Sequence, residues 1–133
     1  MPLSIACRRE YYIELGNALP PRINPTPEKQ GQRIDIALEA FDDLRPGNAD
    51  EGRLAVQIVL CGAHATETLR QAALLGDDFP RLTRCRAQAS SLMREGRAAR
   101  RILAQEQKLR LAIEAVACGT PVPAVAADAS AAV

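Results

Sequence analysis

Seven arginines fall between Arg81 and Arg101, in RLTRCRAQASSLMREGRAARR, against a single acid, Glu95. Cations at that density suit phosphate binding, because each one set against a nucleic-acid backbone releases a condensed counterion. On a helical wheel, Arg86, Arg94, Arg97, Arg101 and Lys108 fall within an arc of about 80°. That stripe can meet a phosphate backbone, an acidic protein or lipid head groups. Its plainer reading is a solvated face opposite an acidic helix of the same chain, where each exposed pair adds about 0–1 kcal/mol. No helix-turn-helix spacing, zinc-finger ligand set or aromatic stacking platform accompanies the stripe.

The only histidine is His64, with Glu67 three residues on and Gln57 and Gln71 seven residues to either side. An imidazole and a carboxylate on one helical face can hold a metal or share a proton. A di-metal centre in a helical bundle needs Glu-x-x-His in that order on two helices. Here the order is reversed and there is no second histidine, so a boundary position for His64 is expected. Ser90-Ser91 has no histidine nearby in sequence to activate it, and the glycines stand singly, without a phosphate-binding or dinucleotide fingerprint. Cys7, Cys61, Cys85 and Cys118 include no C-x-x-C pair and read as buried thiols in a reducing cytoplasm. Arg84 and Arg86 flank Cys85, a setting compatible with redox sensing, yet its spacing sets it on an apolar seam as a structural thiol. These patterns imply no enzyme, no cofactor, no metal and no small-molecule substrate.

The elements that must carry these residues follow from composition and breakers. The 133 residues are 47% hydrophobic, with aromatics at only 3% (Tyr11, Tyr12, Phe41, Phe79) and no Trp. Such a core suits closely packed helices better than a β-sandwich. Seventeen Lys and Arg against sixteen Asp and Glu leave a net charge of +1, so no global field draws the chain to DNA or anionic lipid. Fifteen of those cations are Arg, a usage that fits a GC-rich bacterial genome. The opening MPLSIACRREYYIELG meets Arg8, Arg9 and Glu10 before any apolar run gains length, so no secretory signal is expected. The longest apolar run, Ile58 to Ala63, is far short of the roughly 20 residues of a membrane span. A cytoplasmic location is the expectation.

Pro and Gly divide the chain. Residues 1–25 read as an N-terminal arm holding a short helix from Ser4 to Leu15, closed by Gly16-Asn17 and followed by LPPRINPTP. Thr26-Pro27-Glu28 opens the first long helix, which runs to about Leu44 and stops at Arg45-Pro46-Gly47. Its outer face carries Glu28, Asp35, Glu39, Asp42 and Asp43. A second helix opens near Asn48 or Asp50 and ends at Gly76; LAVQIVLCGA, apolar nearly all round, belongs in its middle. A third opens at Asp77-Asp78-Phe79-Pro80 and meets no breaker until Gly119. At 1.5 Å per residue the third spans roughly 55–60 Å, against roughly 40 Å for the second. The predicted fold is all-α: an antiparallel three-helix bundle over 26–118 with a long C-terminal helix, a short N-terminal fourth helix, and a disordered tail over 119–133.

Along the third helix Leu82, Cys85, Ala89, Leu92, Gly96, Ala99 and Leu103 recur at 3-4 spacing, a coiled-coil-like seam, with Met93 on the same face. Small residues at 89, 96 and 99 would let a neighbouring helix come close. Ile102, Leu109, Ile113 and Val116 form a second apolar stripe rotated by roughly 120°. A helix with two apolar faces needs two sets of neighbours. The N-terminal arm is one candidate cover, and another protein chain is the other. The sequence therefore reads as a non-enzymatic interaction or assembly protein, self-associating or docked on a larger complex through Ile102, Leu109, Ile113 and Val116. The rival is a nucleic-acid-binding accessory protein using the basic stripe.

The stretch EGRLAVQIVLCGAHATETLRQA, after ALEAFDDLRPGN, resembles a family of small uncharacterised helical proteins from proteobacteria. The resemblance covers about residues 36 to 105 and rests on Leu44-Arg45-Pro46, Gln57, Glu67, Leu69, Arg70 and Ala72. A histidine usual in that family falls on Gly62 here, with His64 displaced by two positions. The resemblance implies a helical, bacterial, cytoplasmic protein and brings no activity with it.

Overall fold

The computed structural model describes residues 3–22 and 26–119, which form four helices and no strand. These are α1 (Ile5–Ala18), α2 (Pro27–Asp43), α3 (Ala49–Ala73) and α4 (Phe79–Ala117). Each helix is opened by a side chain that accepts from a backbone N–H of the first turn. Ser4 accepts from Cys7, Thr26 from Lys29, Asn48 from Glu51 and Asp78 from Arg81. One otherwise orphaned donor is thereby satisfied at every start. Pro27 and Pro80 stand in the first turns of α2 and α4, where a missing N–H costs nothing. After α2, Arg45 takes a left-handed conformation at φ 50° and Pro46 prevents continuation. Between α3 and α4 the reversal uses Gly76 at φ 57°, a value glycine adopts without steric cost.

The N-terminal segment is not an arm. α1 continues through Gly16 and Asn17, the expected stop, and ends where Leu19 turns extended ahead of Pro20. Tyr11 and Leu15 are buried in one core cluster with Phe41 of α2 and Ala55 and Val56 of α3. The Tyr11 and Tyr12 rings lie 5.9 Å and 5.8 Å from the Phe41 ring, the second edge-on. Their hydroxyls donate to the Ala49 carbonyl and the Asp42 carboxylate. Full burial of Phe41 and Leu15 stabilises by about 1.5–3 kcal/mol each. Gly52 permits this packing, since a Cβ there would overlap the Tyr11 ring.

α3 is the hub. α1, α2 and α4 all pack on it, α1 also touches α2, and α4 has α3 as its only helical neighbour among the described residues. The expected all-α class is found, with α4 packed along α3 and reaching α2 only at its end, through Leu44. A second core cluster joins Ile58 of α3 to Ala99 and Leu103 of α4, with Leu44 and Leu54 packed against it. Cys61 faces Gly96 and Glu51 meets Arg110, so the two helices run past each other in opposite directions. No helix among the described residues is long and apolar enough to cross a membrane. The tail expected to be disordered lies, beyond Gly119, outside the described residues.

Candidate functional site

The seam of α4 is largely where the 3-4 spacing put it. Ala89, Ala99 and Leu103 are buried; Leu82, Cys85, Leu92 and Gly96 are half-buried. Met93, assigned to the same face, stands 42% exposed at its edge. A Cβ at Gly96 would come within 3.3 Å of the Cys61 Cβ, so glycine sets a close approach there. Past Leu103, after a second step of four, the same face continues through Gln107, Arg110 and Glu114, and the seam changes from apolar to polar. Gln107 Nε2 donates to the Leu44 and Arg45 carbonyls, at 2.7 Å and 3.1 Å. These carbonyls end α2 and would otherwise lack intrahelical donors. Arg110 Nε donates to Glu51 Oε2 at 2.7 Å and Nη1 to Glu114 Oε1 at 3.2 Å.

Glu51 is fully buried and accepts three times, from Gly47 N, Asn48 Nδ2 and Arg110. Asn48 in turn accepts from Glu51 N, a variant of the reciprocal capping box. Arg110 lies so close over the backbone that a Cβ at Gly47 would overlap its guanidinium. This clasp ties the distal part of α4 to the start of α3. A search restricted to apolar residues misses it, although Gln107, Arg110 and Glu114 lie on the same face of the helical wheel. The overhang expected from helix lengths is correspondingly shorter, beginning only beyond Arg110.

A second buried carboxylate, Glu67, accepts from Arg70 at 2.7 Å and 3.1 Å and from Gln71 at 3.5 Å, with Arg22 Nε at 3.8 Å. The Arg70 hydrogen bond holds its carboxyl below the usual range, against the opposing pull of burial. His64 has another partner. Its Nε2 donates to the Ala18 carbonyl at 2.8 Å, closing the end of α1. The two groups that could have shared a metal or a proton are thus turned to separate structural tasks. Among the described residues no group of three or more His, Cys, Asp or Glu is arranged to hold a metal.

Of the four thiols, expected to be buried, only Cys61 is; Cys7 and Cys85 are half-buried and Cys118 is exposed. Burial pushes the Cys61 thiol above its ordinary pKa, with the Glu95 charge adding to the effect. Cys85 and Cys118 lie toward the ends of α4, where α3 gives less cover.

The second stripe of α4 is not covered by the other helices among the described residues. Ile102, Leu109, Ile113 and Val116 are 47%, 57%, 61% and 65% exposed. Cover by the N-terminal segment is excluded, because α1 is spent on α2 and α3. Arg86, Arg94, Arg97, Arg101 and Lys108 are also exposed, and among the described residues none lies within 4 Å of a carboxylate. The acidic face of α2 was expected opposite them. Glu28, Asp35, Glu39, Asp42 and Asp43 are instead exposed on a helix that does not neighbour α4.

Compared with protein-family models, with curated proteins and with solved structures, the chain has no match.

Proposed function

We propose that the chain is an interaction protein that assembles, with itself or on a larger complex, through the distal part of α4. One observation carries the reading: Ile102, Leu109, Ile113 and Val116 are exposed in a row on one face of a continuous helix. Over residues 102–116 that row is roughly 21 Å long. Aliphatic side chains so aligned cost free energy in water, and covering them with a partner helix recovers it. The clasp at Gln107 and Arg110 supports the same reading, since it fixes the face in place before a partner arrives. Preorganisation of this kind lowers the entropic cost of association.

Light scattering over a concentration series tests it. The expected result is a mass above the monomer at tens of micromolar, or capture of a defined partner, with Ile113→Glu abolishing either. A strict monomer that captures nothing, and is unchanged by Ile113→Glu, would remove the reading.

A second reading has its own observation, the five stripe cations without a carboxylate within 4 Å. On it, the stripe neutralises phosphates of a nucleic acid. Fluorescence anisotropy with a labelled duplex at two salt concentrations decides: binding at low salt that collapses as salt rises supports it. No binding at low salt ends it.

A further inference from the structure

A cleft of about 370 Å³ opens to solvent between α2 and α3, flanked by one side chain of α4. Its floor consists of side chains too short to fill it, Ala37 and Ala40 of α2 with Gly62 and Ala63 of α3. Ile36, on its wall, is 66% exposed, an apolar surface that the chain's own packing leaves wet. A space of that size with apolar walls is typical of small-ligand sites, where a few polar groups at the edge fix orientation.

The polar edge is cationic. Arg22, Arg33, Arg100 and Glu67 border the cleft. Glu67 is already satisfied by Arg70, Gln71 and Arg22. Arg33 is different. Its guanidinium is half-buried and donates to two neutral oxygens, Gln30 Oε1 and the Pro20 carbonyl, which orient it without cancelling its charge. Arg100, exposed on α4, has no carboxylate within 4 Å among the described residues. Two uncompensated cations beside low-dielectric walls attract an anion more strongly than the same charges in open water.

From these features we infer that the cleft binds a free, single-chain amphiphile with an anionic head, a medium-chain carboxylate being the plain case. Its hydrocarbon chain covers Ile36 and the alanine floor, while Arg33 and Arg100 meet the head. The site is separate from the distal stripe of α4 and stands or falls independently of it.

Calorimetric titration with dodecanoate, held below its micellar concentration, tests the inference on the full chain. One equivalent is expected to bind, about tenfold more tightly than dodecanol, which has the same chain without the charge. Gly62→Leu is the informative variant. A Cβ at Gly62 meets nothing within 4 Å, so a side chain added there starts into open space beside the cleft that Gly62 lines. It should abolish binding while circular dichroism and the thermal midpoint stay at or above wild type. Arg100→Glu should weaken dodecanoate about tenfold and leave dodecanol unchanged. Ile113→Glu should leave both affinities intact. Equal affinity for dodecanol, wild-type binding by folded Gly62→Leu, or uptake only by anionic vesicles would each overturn the assignment.

Discussion

At the scale of the residue, the two buried carboxylates show how one side-chain type does different work. Glu51 joins elements, accepting from the α2–α3 connection and from α4. Glu67 is local, with Arg70 and Gln71 of its own helix as its main donors. Because Arg70 lowers the Glu67 pKa in the folded state, linkage fixes the sign of its pH effect. Its stabilisation is fully present above the unfolded carboxyl value, about pH 4.3, and is lost as pH falls through the lower folded value. Denaturant unfolding of wild type and Glu67→Gln should therefore differ near neutrality and converge as pH drops below about 4. Curves separated by a constant interval over that range would show that the ionised carboxylate contributes nothing. Neither buried acid was legible as buried: Glu51 and Glu67 look in sequence like ordinary exposed helix residues. Only the neighbours brought by folding distinguish them.

At the scale of the element, the helices were readable and their roles were not. Thr26-Pro27, Asn48 and Asp78-Phe79-Pro80 mark helix starts because capping is a local reaction between a side chain and the next turn. Gly16 misled, since one glycine costs only about 1 kcal/mol in a helix and Pro20, four residues later, was the stronger stop. In α4 the 3-4 spacing located the face toward α3, but the function of its last third depended on what the face met. Arg110→Met tests that polar clasp. It leaves the Glu51 carboxylate buried without its cation, and urea unfolding should show a loss of about 3 kcal/mol, at the low end for a buried pair because Arg110 is partly exposed. Adding Glu51→Gln should recover part of that loss, since the uncompensated charge is then gone. A single variant as stable as wild type would mean that α4 is held by the apolar seam alone.

At the scale of the molecule, one central helix carries three others, and the longest of these has a single helical neighbour. Such an arrangement leaves α4 with one face committed and the rest available. Stability should follow the same division, because local opening is hardest where buried apolar contacts are densest. Hydrogen exchange is expected to be slowest in the middle of α3 and over residues 89–103, and fastest after Arg110. If a second copy covers the distal stripe, protection over residues 105–117 should rise with protein concentration while that of α1 stays constant. Protection independent of concentration over the associating range would place any self-contact elsewhere.

By itself the sequence determined the all-α class, the starts of the helices and the apolar face of α4, because capping, proline sterics and helical periodicity act over a few residues. Tertiary structure alone decided that α1 belongs to the core and that α4 packs along α3, meeting α2 only at its end. It also decided that Glu51 meets Arg110, and that among the described residues no other helix covers Ile102, Leu109, Ile113 and Val116. Those outcomes depend on which faces compete for α3, and that competition is between groups distant in sequence. An amphipathic pattern states that a face seeks cover; it does not state which neighbour reaches it first.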